Sequence, residues 1–321
     1  MLKLILSFAV TFTVSFLFAQ HEVSWDSEKI EVKKGDEQNT IMSASAIIAE
    51  GWGDLAQPKF WKKIMQLAPD SCLVNIASSR IVVAKMSKAD WNKQSDAEKT
   101  KYRDSIRTAY SLDSDARIFV TTGKNDFYKF ETVYPSITVG VEEFEKYGVD
   151  PWYAQAILLI ESPGQLKKSR VGAYGPFQLM PRVARAQGLT VNKYKDDRSS
   201  FELSAYGASR LIRRICIPEA KRILEAKGLD YGETDIWFRL FVLHVYHAGA
   251  ANVSAVINKI NPSEGGQQLI QAMWQNTAAQ FGNNSQNYSQ LALASQLILH
   301  EMVYEQCDYI LSCSSAEASL Y

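Results

Sequence analysis

The stretch IWFRLFVLHVYH, residues 236–247, constrains the fold more than any other part of the chain. It is apolar on almost every side, and a helix of that kind has no face to present to water. It therefore predicts a buried central helix with other helices packed around it. A second run, WYAQAILLIE at residues 152–161, has the same character. Asp150 supplies its N-cap, Pro151 suits the first helical position, and Pro163 with Gly164 stops it.

From about Tyr134 onward, helical patterns dominate. Pro181 starts MPRVARAQ, which Gly188 ends, and Ser199 with Glu202 has the spacing of a capping box ahead of FELSAYGASRLIRRI. NYSQLALASQLILHEMVYEQ predicts a last long helix, and VGAYGPFQL is the single non-helical insert. The preceding region mixes helical patterns with one extended stretch, ARIFVTTGKNDFYKF, and Ser95 with Glu98 offers a further capping box. The expectation is a mainly α fold in which residues 134–321 form a helical domain and residues 20–133 form an α+β accessory region of unknown role.

Residues 1–19 carry one lysine, an apolar stretch from Leu4 to Phe18 and a small residue at Ala19. This is the layout of a secretory signal peptide cleaved near Ala19, which predicts an exported protein, periplasmic or secreted, with no membrane span in its mature form. Formal charges cancel to zero, so bulk electrostatics do not point to nucleic acid. Cys72, Cys216, Cys307 and Cys313 permit disulfides in an oxidising compartment without choosing a pairing. His244 and His247 share a helix face, but with no third ligand nearby, neither a metal nor a cofactor is expected.

Glu161 closes an apolar helix. Burial and the negative end of the helix dipole both disfavour its ionised form and so raise its pKa, which suits a general acid. The same position also fits a solvated glutamate at a frayed helix end. The residues just downstream favour the acid. In GAYGPFQLMP, two glycines around a tyrosine allow a tight turn and close approach of a ligand to the main chain. Gln178 then offers a donor and an acceptor between the apolar Phe177 and Leu179.

Glu161-Ser162, Ser169, Gly172-Ala173-x-Gly175-x-x-Gln178-x-Met180-Pro181 and Ala184 together resemble the lytic transglycosylase domain, SLT, of the murein transglycosylases, a relative of goose-type lysozyme. YHAGAANV at residues 246–253 is similar to that family's tyrosine-asparagine-alanine-glycine segment, and NSQNYSQLALA to its late segment. DDRSSFELSAYGASRLI places the likeness nearest the membrane-bound murein transglycosylase D branch. Departures are present: the Glu161 to Ser169 stretch is shorter by one residue, His247 stands where the family has asparagine, and Asn284 where it often has glutamate.

The resemblance implies a lysozyme-like helical catalytic domain that cleaves the β-1,4 bond between N-acetylmuramic acid and N-acetylglucosamine in peptidoglycan without water. Glu161 would be the single acid/base. Ser169, Gly172, Ala173, Gln178, Met180, Tyr246 and Tyr288 would bind the glycan, and peptidoglycan strands would be the partner. Two alternatives stand beside it. A hydrolytic muramidase or chitinase-like enzyme would need a carboxylate to activate water, for which Asp196, Asp197 and Glu202 are candidates. An inactive glycan-binding envelope scaffold would keep the cleft without turnover.

Overall fold

The structure, a computed structural model, describes residues 24–34, 36–161, 168–306 and 309–312. The signal-peptide expectation, the Glu161 to Ser169 spacing between 162 and 167, and any bond between Cys307 and Cys313 fall outside the described residues. The N-terminal part runs β1 (Lys29–Lys34), β2 (Glu37–Met42), α1 (Ser45–Ala49), α2 (Ala56–Gln66), β3 (Ser71–Ile76), β4 (Val82–Ser87), α3 (Lys88–Lys93), α4 (Asp96–Ala109) and β5 (Ile118–Thr122). Helices come next: α5 (Phe130–Lys146), α6 (Trp152–Glu161), α7 (Pro181–Ala186), α8 (Phe201–Leu211), α9 (Ile217–Glu225), α10 (Ile236–Ala248), α11 (Ala250–Ile260), α12 (Gln267–Gln275) and α13 (Asn283–Gln306), then β6 (Tyr309–Ser312). The fold is mainly α, a lysozyme-like helical domain with a smaller α+β part at the N-terminal side, as expected.

The local signals act as their chemistry dictates. The Asp150 carboxylate accepts from the Trp152 amide at 2.9 Å and caps α6. Ser95 and Glu98 form a complete capping box at α4. At α8 the cap is Ser200, whose hydroxyl accepts from the Leu203 amide, and not Ser199, whose hydroxyl turns back to the Asp196 carbonyl. The strand content exceeds the one extended stretch expected, since the described residues form two three-stranded antiparallel sheets, β4-β3-β5 within the N-terminal part and β2-β1-β6, whose β6 comes after α13. KIEVKK is charge-rich, EQNTIM is mostly polar at its start, and the apolar run of SCLVNI is only three residues long before Asn75, so pairing is what makes them strands.

α10 is the central helix. Every residue from Ile236 to Val245 is buried, and α13, α11, α9 and α12 pack around it. α6, equally buried from Trp152 to Ile160, lies between α5 and α13. The main core extends from Ile30 and Val32 of β1 through Trp52, Phe60 and Ile64 to Val303 of α13. A small second cluster, Val74, Ile76, Ile106 and Ile118, joins the β4-β3-β5 sheet to α4. Cys72 and Cys216 are both buried and unbonded to one another.

Polar side chains buried in this core fix the register between its parts. Gln155, in the middle of α6, pairs with both the amide and the carbonyl of Met42 in β2 at 2.9 Å each, and with Gln296 of α13. Arg239 of α10 donates to Asp150 at 2.7 Å and forks onto Glu28 at 2.7 and 2.9 Å. Trp61 of α2 donates to Gln290 of α13 at 3.0 Å. Gln155, Arg239 and Trp61, so matched, disfavour alternative packings, because leaving one unmatched inside the core costs about 1–3 kcal/mol.

Candidate active site

Glu161 is the last residue of α6, at the negative end of the helix dipole. Protein atoms crowd its side chain, although it keeps some exposure to solvent. Burial raises the carboxyl from its usual 4.5 to about 7, and hydrogen bonding from the Tyr288 hydroxyl partly offsets that rise. Among the described residues the buried Tyr288 hydroxyl has no partner at ordinary hydrogen-bond geometry, and Glu161 is the charged group that acts most on it.

Three tyrosines sense the charge of Glu161, and they come from three distant parts of the chain. Tyr288 lies on α13, Tyr246 on α10, and Tyr128 just ahead of α5. Burial, and after it the charge of Glu161, raises the pKa of all three, so each stays a neutral hydroxyl. Tyr246 donates to the Phe177 carbonyl at 2.6 Å, which ties the residue next to Gln178 to the central helix. His247, the substitution for asparagine, stacks on Tyr288 with ring centroids 4.4 Å apart, and burial lowers its pKa to about 4. His244, one turn earlier, shares a 2.8 Å hydrogen bond with Ser289, next to Tyr288. Both imidazoles are thus engaged in packing around α13.

The insert after α6 is a built loop. The Tyr174 amide donates to the Leu179 carbonyl at 3.2 Å, and the Leu179 amide returns to the Tyr174 carbonyl at 3.1 Å. Within it Gln178 has φ of 45°, a left-handed conformation for a residue with a side chain, and its amide nitrogen donates to the Gly175 carbonyl at 2.9 Å. Ser169 closes the other end: its hydroxyl accepts from the Ala173 amide at 2.9 Å. The buried Arg198 clamps the whole, donating to the Gly172 carbonyl at 2.9 Å and the Leu179 carbonyl at 2.7 Å while paired with Asp196 at 2.7 Å. Gly175 passes so close that an added Cβ would stand 1.9 Å from the Arg198 carbonyl oxygen.

The expected residues therefore divide. Glu161, Tyr246 and Tyr288 converge, and Gln178 comes directly after Phe177, whose carbonyl holds Tyr246. Ser169, Gly172 and Ala173 form the loop's base under Arg198, and Met180 stands exposed at the start of α7. Two residues that the sequence alone does not single out are Tyr128 and Arg198. KNDFYKF reads locally as a turn with aromatics, so no pattern announces Tyr128, and KDDRSSF reads as a solvated charged segment.

The three carboxylates considered for activating water are engaged locally. Arg198 holds Asp196, Lys195 and the Thr190 amide hold Asp197, and the Ser200 hydroxyl donates to Glu202. All three have lowered pKa values, from these hydrogen bonds and, at Glu202, first from its own backbone amide. Among the described residues, no second carboxylate contributes to the shift at Glu161.

Among curated proteins, none matches the chain in sequence. Residues 141–265, somewhat less than half of the chain, match the family model described as Transglycosylase SLT domain. The match takes in Glu161, the loop and Tyr246, leaves Tyr128 and Tyr288 to either side, and supports a lytic transglycosylase acting on peptidoglycan.

Proposed function

We propose that the protein is an exported peptidoglycan lytic transglycosylase of the murein transglycosylase D type, with Glu161 as its single acid/base. The carboxyl gives its proton to the glycosidic oxygen between N-acetylmuramic acid and N-acetylglucosamine, and the C1–O bond breaks. Positive charge at C1 is stabilised by the substrate's own acetamido group. The Glu161 carboxylate then takes the proton of the muramyl C6 hydroxyl as O6 bonds to C1, which gives a 1,6-anhydro end and returns Glu161 to its acid form.

The observation that carries this reading is the carboxyl of Glu161 itself, poised near 7 by burial and faced by neutral tyrosine hydroxyls. An acid that must be protonated to begin and ionised to finish works best when its pKa lies close to ambient pH. The engagement of Asp196, Asp197 and Glu202 elsewhere favours intramolecular attack over hydrolysis, which needs a carboxylate free to activate water.

Clearing of a peptidoglycan suspension tests the role of Glu161. The rate should fall as pH rises through about 7, because the proton-bearing form is lost there. Glu161→Gln should clear the suspension about 10²–10⁴-fold more slowly. A variant that keeps wild-type turnover would remove Glu161 from the mechanism.

A further inference from the structure

A cavity lies at the opposite end of α6 from Glu161, where α5 passes into the loop before α6. Its volume is about 520 Å³, and its lining includes Lys146, Tyr147, Tyr206, Arg210, Arg213 and Arg214. Four of the lining side chains are cations and none is acidic, in a chain whose formal charges cancel to zero. The adjoining groove shows the ordinary arrangement. There Lys29 is paired with Asp26 and Glu145, and Asp150 with Arg239.

In the basic cavity Lys146 has an acidic partner, Glu143 at 3.0 Å. Among the described residues, Arg210, Arg213 and Arg214 have no carboxylate within salt-bridge distance. Their spacing of three and four places all three on one helix face, where like charges repel. The Nε of Arg210 is buried and has no partner among the described residues, while its Nη1 donates to the Tyr206 hydroxyl at 2.9 Å. Because that hydroxyl accepts from Arg210, its own proton is left to donate. Arg213 spends one Nη1 proton on the Tyr147 carbonyl at 2.9 Å, which fixes the guanidinium and leaves its remaining donors. Tyr147 and Tyr206 meet edge to face, 5.1 Å apart, and make the wall rigid. A π-helical turn at Ile212–Cys216, of the kind that recurs at functional sites, carries Arg213 and Arg214.

We propose that this cavity binds a phosphate-type anion. Guanidinium forks match the paired oxygens of phosphate, and several uncompensated cations call for more than the single charge of one carboxylate. The Tyr206 hydroxyl adds a neutral donor. The site is separate from Glu161, and its assignment does not rest on the reaction proposed there.

Isothermal titration calorimetry of the full chain at constant ionic strength tests it, with pyrophosphate, citrate and phosphatidylglycerol vesicles as probes. Pyrophosphate should bind saturably at one site. The double variant Arg213→Gln, Arg214→Gln should bind it at least tenfold more weakly, with peptidoglycan clearing and the unfolding temperature unchanged, since both side chains are exposed. Tighter binding to pyrophosphate than to vesicles marks a soluble phosphate as the source, the reverse marks a lipid headgroup, and either upholds the phosphate class. Binding that is absent, that the double variant retains, or that citrate matches would overturn it.

Discussion

At the scale of single residues, the account turns on how Glu161 is held. Burial drives its carboxyl towards neutrality, and the Tyr288 hydroxyl draws it back. Tyr288→Phe removes that donor while keeping the ring that stacks on His247. The pKa of Glu161 should then rise, so the alkaline limb of the pH–rate profile should move to higher pH, with the fold intact by circular dichroism. A limb that stays in place would mean that Tyr288 does not act on the carboxyl. Glu161 can be singled out in the sequence because its cause is local, an apolar helix running directly into a carboxylate. Tyr128 cannot, because its approach to Glu161 exists only once the segment before α5 packs beside α6.

At the scale of elements, residues 169–179 ahead of α7 form an arch under a clamp. Its glycines are legible in the sequence as a tight turn, but not the reason for one of them: Gly175 has φ of +85° and no room for a Cβ beneath the Arg198 carbonyl. Gly175→Ala should therefore destabilise the protein by about 2–5 kcal/mol, combining backbone strain with a steric clash. Gly172, at φ of +92° but facing open space, should tolerate alanine at a cost of about 1 kcal/mol. Thermal unfolding of the two variants gives the comparison, and equal losses would contradict the clamp. Arg198 itself is hidden by composition, since a charged run such as KYKDDRSS looks solvated until tertiary contacts bury one of its members.

At the scale of the whole molecule, the helical core is readable because α6 and α10 carry nearly unbroken apolar runs, whereas α13 mixes apolar residues with buried serines, asparagines and glutamines. The two sheets are not readable, since short strands such as KIEVKK take their identity from partners far along the chain. The core that joins them runs from β1 to α13, and Gln155 links β2 to α6 and α13 at its centre. A fragment beginning at residue 134 would expose that surface and leave Gln155 and Gln290 without their partners from β2 and α2. It should show no cooperative unfolding transition by near-ultraviolet circular dichroism, and a fragment that melts cooperatively would contradict a shared core. The central claim is that Glu161 serves as acid and then base for attack by the muramyl C6 hydroxyl. Mass spectrometry of the soluble products released from purified peptidoglycan tests it most directly. The account predicts muropeptides ending in 1,6-anhydro sugars with the wild-type protein and at least about a hundredfold fewer with Glu161→Gln. Products with reducing ends would contradict it, because water would then have been the nucleophile.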